Sequence, residues 1–381
     1  MGHEIKIFSW KKNEIRLHDL IIENDLMSHV KYLDLPERYI DRVKLVLKVL
    51  IHDYHLFIKL SSTLNVLKYR RGAINLKIFG EQYLLTMMPE SDVLHSHFGP
   101  NGIKATIQKK IGLCKADFLI ASFHGFDSHA CYARQGVYDE LYRFHDLLTA
   151  NTSFTLNQLL KNNGPIDKIE IVPESLYFGQ FDSFKKNNIE TDNELVILYV
   201  GRLVDFKGAD RIPRIAKRLR ERVDLKFKFI LIGEGELRKK IESDIKIHGL
   251  ENLVLLKGAL TQQDVIGYYA NADIFLLPGV IASNGRQENQ GLVIQEAQFM
   301  QLPVVVSNTG GVSEGVLNGK TGFVLPSEDI DAFVDKLVLL IHNPSLRLKM
   351  GMEGRKFISD NYDSLVLAKK LEKLVISKMS L

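Results

Sequence analysis

An α/β protein of two domains is what the sequence predicts, and three observations carry that reading. The chain has 381 residues, of which 45% are hydrophobic and 25% charged, enough for about two domains that each bury a core. From about residue 191, short apolar runs alternate with amphipathic stretches of helical length, which argues for a parallel sheet covered by helices on both faces. Glycines and charged side chains follow several of those runs directly. In open sheets of this kind ligands sit beyond the carboxyl ends of the strands, so those residues matter most.

Along the first half, "IKIFS", "DVLHSHFG", "DFLIASFHGFD", "LLTANT" and "IEIVPE" read as strand ends. Residues 38–77 differ: mostly helical, with nine basic and two acidic side chains set among leucine, valine and isoleucine. They read either as a helical layer with a solvated basic face or as a surface that docks on an anionic membrane or substrate. "PESLYFGQFDSFKKNNIETDNE" is polar with apolar punctuation and marks a linker, placed at 176–192 between domains at 1–175 and 193–355. In the second domain the apolar runs are Leu195–Val200, Phe227–Ile232, Leu253–Leu256, Ile274–Leu277 and Pro303–Val306. Helical stretches cover Ala209–Arg222, Leu237–His248, Gln262–Asn271 and Leu292–Met300. Residues 356–381 read as final helices that pack back toward the first domain.

Composition excludes several classes. A net charge of +4 is too small to signal nucleic acid, and the basic residues are not interleaved with a nucleic-acid motif. Cys114 and Cys131 form neither a metal spacing nor a disulfide framework, which fits a reducing compartment. "MGHEIKIFSWKKNE" has no apolar run of signal-peptide type, and no stretch reaches about 18 uninterrupted apolar residues. The expected location is cytoplasmic, on the inner face of the plasma membrane if residues 38–77 dock there.

The loops after the strands hold the chemistry. In "GRLVDFKG", Gly201 allows a tight turn, and Arg202 and Lys207 stand near a strand tip and a helix start around Ala209. They make either an anion pocket, suited to a diphosphate, or two ordinary surface cations. In "GEGE", Gly233 and Gly235 permit close backbone approach to a ligand, a weak signal by itself. "GRQENQGLVIQEA" places Glu288 in a loop and Glu296 about one turn into a helix whose free amides are those of Gly291, Leu292 and Val293. The two glutamates could be an acid/base pair, two grips on one ligand, or surface charges. His124 precedes a glycine at a strand tip; for His95 and His97 a structural and a chemical role are equally open. Phe123 and Phe126 read as core. No Asp-x-Asp metal motif stands out.

"GRLVDFKG", "GEGELR", "ADIFLLPG", "ENQGLVIQEA", "PVVVSNTGGVSEGV" and "GKTGFVLP" follow the order and spacing of retaining glycosyltransferases of family 4, which this chain resembles over nearly its whole length. "HSHFGPNG", "FHGFD" and "KIEIVPESLYFGQF" look like the branch that builds bacterial exopolysaccharide, capsule and O-antigen units. The resemblance implies the GT-B fold, two Rossmann-like domains facing across a cleft, and metal-independent transfer with no cofactor. A hexose-type sugar would pass from a nucleoside-diphosphate-sugar to a lipid-linked or oligosaccharide acceptor. Arg202 and Lys207 would grip the diphosphate, Glu288 the donor sugar, Glu296 the ribose, and the amides of Gly291 to Val293 the distal phosphate. The backbone around Lys257–Ala259 would meet the base, and His124 would face the donor sugar. The two glutamates would then be two grips on one ligand.

Two departures from the family pattern stand out. "MGHEIKIFS" looks like the family's second strand, so a strand, a glycine-rich loop and a helix are expected to be missing ahead of it, leaving the N-terminal domain short and its activity open. "PESLYFGQF" also lacks the usual glycine-aspartate. A sugar-nucleotide epimerase of the same fold and an inactive nucleotide-sugar-binding scaffold are the competing readings.

Overall fold

The computed structural model describes residues 2–10, 25–129, 134–181 and 194–380; Cys131 and most of the expected linker lie outside the described residues. In the first half the strands are β1 (Ile7–Ser9), β2 (Val30–Tyr32), β3 (Ser91–His97), β4 (Ala116–Phe123), β5 (Leu147–Ala150) and β6 (Ile169–Ile171). Strands β3 to β6 form a parallel sheet in sequence order, while β1 and β2 pair in parallel as a separate two-stranded sheet. Residues 38–77 are helical as read, in segments Tyr39–His52, Tyr54–Ser61, Val66–Tyr69 and Arg71–Ile74.

The second half supplies β7 (Leu195–Val200), β8 (Phe227–Ile232), β9 (Val254–Gly258), β10 (Ile274–Leu277), β11 (Val304–Ser307) and β12 (Gly322–Leu325). Their order in the sheet is β12-β11-β10-β7-β8-β9, with every neighbouring pair parallel. Most of the inner residues of β7, β8, β10 and β11 are buried, as expected of strands covered on both faces. Chain order reverses between β7 and β10. That switch point is where the loops after two adjacent strands part and leave a crevice.

Helix boundaries follow local chemistry. Thr261 accepts from the Asp264 amide at the start of Gln262–Ala270, and Asp329 does the same for Ala332 in Ile330–His342, each satisfying one orphan donor. The helix expected from Ala209 begins later: two 3-10 turns, Asp205–Lys207 and Ala209–Arg211, precede Ile212–Arg220.

The linker and tail boundaries fall elsewhere than expected. Leu176 and Phe181 are buried in the core of the second sheet, so residues 176–181 pack as part of that domain. The helix Pro344–Tyr362 runs through the boundary placed at 355, and the chain turns only at Asp363, whose carboxylate accepts from the amides of Leu365 and Val366. The two crossings are hydrogen-bonded together: Leu176 N donates to Tyr362 O (2.9 Å) and Ser364 N to Leu176 O (3.0 Å). The last helix, Ser364–Met379, then covers the first sheet, where Leu371, Leu374 and Val375 pack on Phe118, Ile120 and Leu147. Lys370 Nζ donates to Ile171 O at 2.7 Å.

Candidate donor cleft

The loops after β7 and β10 meet at the switch point. Gly208 has φ +70°, and a Cβ there would lie 1.9 Å from Pro278 O; Arg211 donates to the same carbonyl at 2.8 Å, and Val280 N to Phe206 O at 3.0 Å. The loop after β11 closes from the other side. A Cβ on Gly310 (φ +55°) would lie 1.7 Å from Glu288 O, and the Gly310 amide donates to Gln287 Oε1 at 2.8 Å.

This packing brings Lys207 and Glu288 together as an ion pair, both side chains largely buried. Burial raises the Tyr199 hydroxyl well above its ordinary range, with the charges of Glu288 and Asp210 adding and that of Arg202 opposing. One buried tyrosine thus senses both expected cation and carboxylate. Arg202 itself is exposed, and its carbonyl accepts from Tyr199 (3.0 Å). Glu296 is half-buried and accepts from Tyr269 Oη (2.9 Å) and Gln262 Nε2 (3.3 Å). Gly291 opens its helix with φ +74°, and among the described residues the amides of Gly291, Leu292 and Val293 have no hydrogen-bond acceptor. Lys257 and Ala259 are exposed at the tip of β9.

Gly233 and Gly235 also answer to a packing demand. Added Cβ atoms would lie 2.0 Å from Gly201 O and 2.3 Å from Leu203 O, so both glycines let the β8 loop lie against the β7 loop. Phe126 is a correction: it is 56% exposed, whereas Phe123 is buried. The residue after a strand-tip glycine has left the sheet, and alternation no longer governs it.

The first domain faces this region through residues that the sequence reading missed. Asn289 Nδ2 donates to Asn151 Oδ1 (2.6 Å) and to His124 O (3.2 Å), and its Oδ1 accepts from Thr155 Oγ1 (2.7 Å). A Cβ on Gly125 would strike the Asn289 side chain at 2.3 Å. Gln290 clasps the backbone of Glu174, accepting from its amide (2.7 Å) and donating to its carbonyl (2.8 Å). Glu314 caps the helix Ser153–Lys161 from the other domain, accepting from Ser153 and Phe154 amides. His124 Nδ1 lies 2.9 Å from Glu174 Oε1, and its amide donates to buried Asp127, which also accepts from Gly99 N (2.7 Å). For Asn289 and Gln290, their place directly after Glu288 in "ENQG" was the one signal available.

Chemically, the crevice offers a paired lysine, an exposed guanidinium, free helix amides and a held carboxylate, a set suited to an anion bearing hydroxyls. An α/β protein of GT-B architecture is the class that fold and crevice define. HepE of Anabaena, solved with UDP and glucose, superimposes with a TM-score of 0.68 at 16% identity, over 93% of this chain and 89% of that one. Residues 180–357 match the family model "Glycosyl transferases group 1", and the chain carries a domain of that family. Among relatives, WcaL of Escherichia coli (strain K12), named for colanic acid biosynthesis, is 23% identical over 98% of this chain and 93% of its own. The capsular polysaccharide biosynthesis glycosyltransferase CapM of Staphylococcus aureus is 29% identical over 60% of each chain.

Proposed function

We propose that the protein is a retaining glycosyltransferase that moves a hexose-type sugar from a nucleoside-diphosphate-sugar to a lipid-linked or oligosaccharide acceptor in bacterial surface polysaccharide synthesis. The observation that carries this is the meeting of Lys207 and Glu288 at the switch point, beside the free amides of Gly291 to Val293. The names of WcaL and CapM support the polysaccharide setting, and the bound UDP and glucose of HepE support the donor class.

In this reading the bond between the anomeric carbon and the donor's phosphate oxygen breaks as the acceptor oxygen bonds to the same face of that carbon. The acceptor's proton passes to the departing phosphate. Lys207, Arg202 and the helix amides stabilise the charge that develops on the leaving diphosphate, without a metal or cofactor. Glu288 holds the sugar and Glu296 the ribose diol. Turnover by the full chain of UDP-glucose, UDP-galactose, UDP-N-acetylglucosamine and GDP-mannose, read as nucleotide release, tests the proposal. Release with at least one donor is the expected result. Binding with no release from any of them would favour the scaffold reading.

The acceptor side suits a membrane. The helices over residues 39–74 expose Ile51 (75%) and Leu67 (94%), with Ile40, Leu47, Ile58 and Ile74 also exposed, among the basic side chains of residues 38–77. Apolar anchors ringed by cations match an anionic bilayer surface. The double variant Ile51→Glu/Leu67→Glu is expected to lower binding to phosphatidylglycerol vesicles more than tenfold, since each apolar side chain contributes about 1.5–3 kcal/mol when buried. Unchanged co-sedimentation would remove this surface from the account.

A further inference from the structure

Beside the donor crevice, three side chains form a hydrogen-bonded line: Glu174 Oε1 to His124 Nδ1 at 2.9 Å, and His124 Nε2 to His97 Nδ1 at 3.0 Å. The rings of His97 and His124 lie nearly parallel with centroids 5.2 Å apart, and His95 stacks on His97 at 4.4 Å. His95 is itself tied to Ser122 Oγ (2.6 Å), which meets Thr149 Oγ1 (2.6 Å). The line is thus braced at both ends.

Hydrogen-bond direction along it can be worked out from one end. Glu174 Oε1 also receives the Asn151 amide nitrogen at 3.1 Å, and Asn151 is oriented by Asn289, whose Nδ2 donates to Asn151 Oδ1. An ionised carboxylate only accepts, so the proton between Glu174 and His124 sits on His124 Nδ1. A neutral His124 then has a bare Nε2, which accepts from His97 Nδ1–H. That leaves His97 Nε2 without a proton. Burial holds His97 below the ordinary histidine range, with His124 adding and Glu174 opposing, so a neutral ring is its resting form. That burial is partial: the ring packs against its neighbours while residue 97 as a whole stays exposed at the tip of β3, and its Nε2 has no partner among the described residues.

We infer that Glu174, acting through His124, holds His97 in the Nδ1–H form so that its bare Nε2 faces the cleft as acceptor for a hydroxyl of the sugar or alcohol substrate. Glu174 is a positioning residue here, and His97 the group that touches substrate. Gln290, which clasps the Glu174 backbone, and Asn289 sit next to Glu288 in the donor loop, so placement of that loop and direction of the histidine line are set together. The hydroxyl role rests on the transferase reading proposed above; the direction of the line does not.

Nitrogen NMR of the full chain labelled at histidine ring nitrogens, assigned with His97→Gln and His124→Asn, reads the direction at pH 7.5. Both rings are expected as Nδ1–H, against the Nε2–H form that free histidine prefers. Glu174→Ala should release His124 to the Nε2–H form and turn His97 with it, while Glu174→Gln, which keeps a carbonyl acceptor, should preserve the wild-type pattern. Either wild-type ring found as Nε2–H, or His124 doubly protonated, overturns the inference, as does a Glu174→Ala spectrum unchanged from wild type. Diethyl pyrocarbonate, which acylates a bare ring nitrogen, should label His97 ahead of His95 and His124. For the hydroxyl role, His97→Ala should lower kcat/KM for nucleotide release about tenfold, the worth of one hydrogen bond, with His97→Gln between it and wild type. Unchanged kcat/KM with the NMR pattern intact would overturn that role alone.

Discussion

Lys207→Ala is expected to lower turnover about 10²–10³-fold, the range for losing one preorganised donor to developing charge. The lysine closes a 3-10 turn at the tip of β7, fixed from below by Gly208 against Pro278. It cannot move far without breaking the contact between the loops after β7 and β10. Its partner is Glu288, and the two side chains are only 14% and 12% exposed. Removing the lysine therefore has a second consequence: a buried carboxylate is left without its cation, which destabilises the loop. Lys207→Ala/Glu288→Gln separates the two effects. The double variant should recover thermal stability relative to Lys207→Ala and recover none of the turnover. Near-normal turnover of the single variant at saturating donor would remove Lys207 from the proposed chemistry.

Gly310→Ala should be the most damaging small substitution in the cleft. The residue sits at φ +55°, and its added Cβ would lie 1.7 Å from Glu288 O, a backbone atom that no rotamer change can move. Left-handed strain and a backbone collision together are expected to cost at least about 2 kcal/mol. The part that yields is the loop carrying Glu288 and Asn289, so donor binding should fall with stability. Gly319→Ala is the control: φ there is +76°, but nothing lies within 4 Å of the added carbon, and only the conformational term of about 1–2 kcal/mol remains. Denaturant unfolding of both variants checks this. Equal losses would mean that the close approach to Glu288 is not rigid.

The contrast between these glycines marks what sequence could disclose. The second domain's strands were legible because β7 and β10 read as unbroken apolar runs, and β8 as one interrupted only by Lys228. β12 was not read as a strand: it has four residues and opens on Gly322, where an added Cβ would lie 2.2 Å from Val304 O. β2, three residues with lysine at its centre, has no pattern to read. Arg202, Lys207, Glu288 and Glu296 stood out because charge directly after a strand or early in a helix has a known geometric meaning. Glu174, Asn151 and Asn289 carried no such mark. Their partners lie in other loops, and some in the other domain, so only folding makes them a network. Gly233 and Gly235 were legible as points of close backbone approach, but not the β7 loop as a neighbour they approach.

A crystal structure of the protein soaked with a nucleotide-sugar that it turns over would test the account most directly. The diphosphate is expected within hydrogen-bond reach of Lys207, Arg202 and the amides of Gly291 to Val293, with the ribose hydroxyls on Glu296. A nucleotide seated away from the crevice between β7 and β10, with the Lys207–Glu288 pair untouched, would contradict it.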